Sequence, residues 1–180
     1  MGNAQPELWK TDPDAYRKKM DDLLGSRDPI EVLSETADVL ARIVSTHPLE
    51  QMRARPFEGK WTPNEVIGHL LDAEWVYGFR MRLILCEDSP TILGMDQENW
   101  VTRQHHNDRD PRELLEPFRT IRHINLSAWR SMSPADLART GRHDERGPES
   151  LGTMLKMLAG HDLSHIDQIE RYLAAVKAPV

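Results

Sequence analysis

Four stretches of about twenty residues carry apolar side chains at three- and four-residue intervals, and this periodicity restricts the chain to a helical architecture. The first runs from about Pro29 to His47, with Asp28 as cap and Ile30, Leu33, Ala37, Leu40, Ala41 and Val44 as its stripe; Pro48 ends it. The second opens on Thr62-Pro63-Asn64-Glu65, a Thr cap with Pro in the first helical position and Glu three residues on, and runs to Cys86 or Glu87. On its wheel Leu70, Ala73, Tyr77 and Ile84 lie within about 40° of Val66. The third spans Pro111 to Met132, and Pro117 is expected to kink it or delay its start. The fourth spans Ser150 to Val176, and a shorter amphipathic piece, Asp12 to Leu24, is expected to pack outside as an extra helix. Period-two alternation is absent apart from a short extended piece at Thr91-Ile92-Leu93, so the expected fold class is all-α, a four-helix bundle.

With 180 residues the chain suits one domain, 1–180, with 1–27 as an amino-terminal extension. No apolar run reaches the ~18 residues of a membrane span, and the amino terminus lacks the pattern of a secretory signal, so the expected location is cytoplasmic, with no membrane partner. A net charge of -6 and the lack of a basic block argue against nucleic acid. The single cysteine, Cys86, among Leu83, Ile84 and Leu85, is expected to be a buried thiol.

Two histidines interrupt the apolar stripe of the fourth helix. With Met154 at zero, His161 lies at about -20° and His165 at about +20°, so both rings face the core. A buried polar group without a partner costs about 1–3 kcal/mol, which demands a reason for the pair. His69, at about -60° from Val66 on the second helix, also points inward. Three imidazoles from two neighbouring helices can share one divalent cation. His105 and His106, in the long loop Ser89 to Asp110, and His143, in another loop, sit where exposed histidine is ordinary; His47 suits a helix carboxyl end. A loop of that length is expected to fold over one end of the bundle and contribute to a site.

These residues carry a resemblance. WTPNEVIGHLLDAEW followed by GHDLSHIDQIERYL, with MDQENW and Gly141-Arg142-His143 between them, resembles the DinB/YfiT-like superfamily over Asp28 to Tyr172. The resemblance implies an up-down-down-up bundle, a homodimer, and a divalent metal on His69, His161 and His165. It also implies an activity of the hydrolase kind, or of a transferase using a low-molecular-weight thiol on a small-molecule substrate. A bound cation ionises a thiol and acidifies water, and three protein ligands leave the position this needs. Nickel, zinc or iron each suit neutral imidazoles.

Two other readings compete. HDLSH shares the spacing of the H-E-x-x-H metalloprotease helix, but Asp162 is shorter than the Glu that helix requires, and better suits a flanking acceptor or proton shuttle. The metal could instead be a fastener in a non-catalytic stress-response protein, closed by Glu74, Asp96 or a loop histidine as fourth ligand. Arg80, Arg82, Arg103 and Arg109 are candidates to meet the carboxylates of a cosubstrate, and Tyr77, Trp75 and Trp100 to line a pocket.

Overall fold

The structure is a computed structural model that describes residues 8–176. The first seven residues, on which part of the reading of the amino terminus rests, and the last four lie outside the described residues. In chain order the elements are α1 (Leu8–Thr11), α2 (Pro13–Leu24), α3 (Pro29–Thr46), α4 (Leu49–Arg53), α5 (Pro63–Cys86), β1 (Thr91–Ile92), α6 (Gln97–Arg103), α7 (Pro111–Ser131), α8 (Pro134–Leu137), β2 (Thr140–His143), β3 (Gly147–Ser150) and α9 (Leu151–Ala175).

The start signals act as their chemistry requires. Asp28 accepts hydrogen bonds from the backbone of Ile30 and Glu31, Asp110 from Arg112 and Ser150 from Thr153; Thr62 and Glu65 form a reciprocal capping box. Pro117 lies within α7, which nevertheless starts at Pro111: a proline removes one hydrogen bond of the ladder, and tertiary burial on both sides of it holds the helix. Cys86 is exposed, a correction to the expected buried thiol. It sits about 200° around α5 from the buried Ile84.

Helices α3, α5, α7 and α9 form the bundle, with α3 and α5 each packed on both α7 and α9. Contacts along the rods give the directions. Glu74 of α5 meets Arg122 of α7 and Gly78 abuts Asn125, so these two run parallel. Arg119 reaches Asp38 and Arg130 reaches Ser34, so α3 and α7 are antiparallel. His69 near the start of α5 meets His161 near the middle of α9, and Ile84 near its end shares a cluster with Leu151 at the start of α9. The course is therefore up-down-down-up.

Parallel α5 and α7 need a return connection as long as a helix, and Glu87 to Asp110 supplies it. Rather than folding over one end, this segment travels back along the side of α5. It begins with β1 near the carboxyl end and finishes with His106 pressed on Gly68, where an added Cβ would collide with the ring. His106 is fully buried, with Nε2 2.8 Å from Asp72 Oδ2, and not an exposed loop histidine.

A small sheet was not legible as such. β1 pairs parallel with β2, and β2 antiparallel with β3, so His143 is a buried strand residue and not a loop one. Strands of two to four residues are too short for alternation to show. Helix α2 does pack outside the bundle, against α9, and Gly160 is the reason it can: a Cβ there would strike the backbone of Met20.

The apolar core falls into two clusters, one around Phe118, Ile67, Leu40 and Tyr172, the other around Met81, Leu33, Trp129 and Met154. A polar layer lies at the height between them. Arg122, 3% exposed, donates from Nε to Glu74 Oε2 (2.8 Å) and from Nη1 to both Asp162 Oδ2 (2.7 Å) and the Leu33 carbonyl (2.8 Å). Thr36 adds a hydrogen bond to Asp162, and Asn125 one to Glu74. Replacing Arg122 with Met should leave two buried carboxylates unpaired and cost about 3–5 kcal/mol in urea unfolding. Gly160→Val should detach α2, seen as faster amide exchange at Asp21 to Leu24 with exchange in α7 unchanged.

Candidate metal centre

The sequence places three imidazoles inward, and the fold brings them together. His69 stands on the second turn of α5, and His161 and His165 stand one turn apart on α9, which runs antiparallel beside it. His69 Nε2 lies 3.1 Å from His161 Nε2, and His165 Nε2 lies 3.1 Å from the same atom. All three ring nitrogens fall within 4.8 Å of one another.

This convergence fits a cation better than a hydrogen-bond network. Gln168 Oε1, 2.7 Å from His165 Nδ1, accepts that ring's proton and leaves its Nε2 as a lone pair. A proton on His161 Nε2 can point well at only one of its two neighbours. One ion satisfies three lone pairs at once, and nitrogens bonded at about 2.0–2.1 Å to one centre stand roughly 3 Å apart. Burial first, and then the neighbouring His165 and His161, push His69 well below the ordinary imidazole value. Burial and then His161 push His165 down to about 3, against the opposing pull of Gln168. Both rings are therefore neutral near pH 7, the form a metal requires.

Around the rings stand supports that the sequence reading did not single out. Trp61, 2% exposed, lies against His69 with ring centroids 5.0 Å apart, and its Nε1 donates to Glu98 of α6. Gln168 donates in turn to the Tyr172 hydroxyl at 2.9 Å, a chain that fixes the orientation of His165. The i+3 spacing from His165 was the available signal for Gln168; no local signal marks Arg122 or Trp61.

Asp162 is buried in the polar layer and is not on the cavity wall, so it has no surface from which to shuttle protons. Burial would raise its pKa, but Arg122 and the hydrogen bonds it receives outweigh this and hold it at about 2. Its Oδ1 lies 4.0 Å from His161 Nδ1, and both atoms are buried and otherwise without a hydrogen-bond partner.

The fourth-ligand candidates are elsewhere. Glu74 is bound to Arg122 and Asn125, and Asp96 caps α6 from an exposed position. Among the described residues, the group around the three rings contains no further His, Cys, Asp or Glu. His143, Asp144 and Glu145 form a second close group, but one already engaged: His143 Nδ1 accepts from the Glu145 backbone, Asp144 accepts from the Gly94 backbone, and Glu145 faces Lys10.

The histidines line a cavity of about 410 Å³. Its walls come from α5 and α9, from Tyr16, Lys19 and Met20 of α2, and from Met95 and Gln97 of the return connection, which does contribute as expected. Of the four arginine candidates only Arg80 lines it, and of the three aromatic candidates only Tyr77; Trp75 is 60% and Trp100 40% exposed.

With this fold and this centre the chain belongs to the DinB superfamily, whose family model matches residues 33–169. Among its relatives, a protein of Oceanobacillus iheyensis provisionally named a metal-dependent hydrolase is 31% identical over 121 residues, 67% of this chain and 69% of that one. YfiT of Bacillus subtilis, under the same provisional name, is 25% identical over 141 residues, 78% of this chain and 79% of its own. A solved structure of YfiT, described as a probable metal-dependent hydrolase with an unusual four-helix bundle topology, superposes with a TM-score of 0.73 at 22% identity. That superposition covers 87% of this chain and 89% of the other.

Gln168→Leu should weaken divalent-metal affinity about 10- to 100-fold in a competitive chelator titration, with folding retained. An imidazole held neutral by the fold stabilises it fully above the unfolded value near 6.5 and loses that contribution as pH falls toward the folded value. For His165 this window runs from about 6.5 down to about 3. The metal-free protein should therefore lose stability between pH 7 and 5, on the order of 1–2 kcal/mol from this ring, and His165→Gln should lose less across the same interval.

Proposed function

We propose that this protein is a metal-dependent enzyme in which His69, His161 and His165 hold one divalent cation, nickel, zinc or iron, at the floor of the cavity. The observation that carries the reading is the meeting of three imidazole nitrogens on a cavity wall with no fourth His, Cys, Asp or Glu in their group among the described residues. A structural fastener would be closed by such a donor.

When bound, the cation would acidify a water or a low-molecular-weight thiol in the remaining position, the chemistry of a hydrolase or of a thiol-dependent transferase. The chain's own residues do the rest. Gln168 and Tyr172 keep His165 in the tautomer that presents Nε2. Trp61, itself buried, packs against the ring of His69. Met20, Ala73 and Tyr77 give the cavity an apolar wall against which a small-molecule substrate is held and water is excluded. A homodimer is part of the same proposal, supported by the exposed Trp75 and Phe79 on α5, and sedimentation checks it.

Elemental analysis of the purified protein tests the centre: the wild type should carry about one equivalent of metal per chain, and His161→Ala and His165→Ala should carry little. Stoichiometric metal in both variants would sink the assignment. Turnover should then be sought with a panel of thiols and electrophiles, and with simple esters and amides. Activity should vanish with chelator and return with metal, whereas full metal with no turnover anywhere on the panel would leave a metal-fastened bundle.

A further inference from the structure

The cavity is charged against the trend of the molecule. The chain carries a net charge of -6, yet the cationic side chains lining the cavity, Lys19, Lys60, Arg80, Arg146 and Arg171, outnumber the acids Glu145 and Asp167. Two of the cations are neutralised locally: Arg146 makes a two-pronged pair with the buried Glu149, and Arg171 pairs with Asp167. Among the described residues, Arg80, Lys19 and Lys60 have no carboxylate within salt-bridge distance.

Arg80 is the one that demands an explanation, because it is only 5% exposed and what its guanidinium meets beyond the protein lies in the cavity it lines. A buried guanidinium without a counter-ion is costly, and nearly all such groups in folded proteins are paired. Its hydrogen bonding is also incomplete. Of five N–H donors, one is given to the Leu93 carbonyl, and among the described residues no other acceptor takes the rest. The guanidinium carbon lies 5.7 Å from the centre of the Tyr77 ring, and both side chains line the cavity. Burial lowers its pKa, the mark of a cation held away from solvent, yet an arginine stays charged.

The histidines occupy the other part of the same wall. Arg80 stands about three turns along α5 from His69, on the same face as Ala73 and Tyr77. Lys19 comes from α2, which precedes the residues matched by the family model, and its charge acts on His165. One face of the cavity thus has acceptor nitrogens at one end and an unneutralised planar donor fork at the other, with a lysine from this chain's own amino-terminal helix opposite.

We propose that the ligand of this cavity is a small anion, a molecule carrying a carboxylate or phosphate group that docks on Arg80 while its reactive part extends toward the three histidines. The proposal deepens the metal-dependent reading by naming the class of molecule that enters the site. Arg80 is in this account a binding residue, with Lys19 adding to the field that draws the anion in.

The test titrates succinate, inorganic phosphate and the neutral isostere succinamide into the full-length protein at low salt, followed by calorimetry, in metal-free and in nickel-loaded samples. Succinate or phosphate should bind the metal-free wild type and succinamide should not. Binding should weaken at least tenfold in Arg80→Gln and less in Arg80→Lys, which keeps the charge and loses the fork. It should be unchanged in Arg112→Gln, an exposed cation away from the cavity. Equal binding of succinamide and succinate overturns the proposal without any variant; so does unchanged affinity in a folded Arg80→Gln protein, or no binding of either anion. Metal content separates the two readings. An Arg80-dependent anion site in a protein that takes up no metal keeps this inference and removes the metal centre, and a normal metal content without anion binding does the reverse.

Discussion

The Arg122 guanidinium is the contact on which the bundle depends. From α7 it touches each of the other three core helices: the Leu33 carbonyl on α3, Glu74 on α5 and Asp162 on α9. A charge this deep tolerates few arrangements. Its desolvation is offset only if every carboxylate and carbonyl stands where the guanidinium plane can reach it, so the layer sets the register of four rods at once. Apolar packing above and below is more forgiving, since a slipped Leu finds another hollow at modest cost. The layer also bears on the site beside it. Two carboxylates stand against one guanidinium, and the excess negative charge lies next to His161 through Asp162, which favours a cation at the three rings.

Direction of the chain explains where the site is. Because α5 and α7 run parallel, the chain must travel the length of the bundle between them, and the return segment becomes a wall of the cavity while its far end is pinned by His106 on Asp72. Because α5 and α9 run antiparallel, a histidine near the start of one meets two histidines near the middle of the other. The floor of the cavity thus comes from helices within the family match, and part of its wall from α2, which precedes that match.

Much of this was readable beforehand, and the reason is local. The capping residues at Asp28, Thr62, Asp110 and Ser150 act on backbone groups two or three residues away, so helix ends came out nearly where the sequence placed them. The inward rings of His69, His161 and His165 follow from helical phase alone. Other features were hidden. Cys86 sits in an apolar neighbourhood of sequence but on the outward side of α5, and His106 sits in a polar loop yet is sealed by Gly68 and Asp72. The β2–β3 hairpin is too short for its pattern to declare itself.

By itself the sequence determined the helices, their inward faces and the three imidazoles that an apolar stripe cannot hold without a purpose, because each of these depends on spacing within one turn or two. Tertiary structure decided the rest. Asp162 became a partner of Arg122 rather than a group on the cavity wall, and Arg80 became a cation with no acid beside it. Whether a charge is neutralised depends on what lies across from it, and that neighbour comes from a part of the chain tens of residues away.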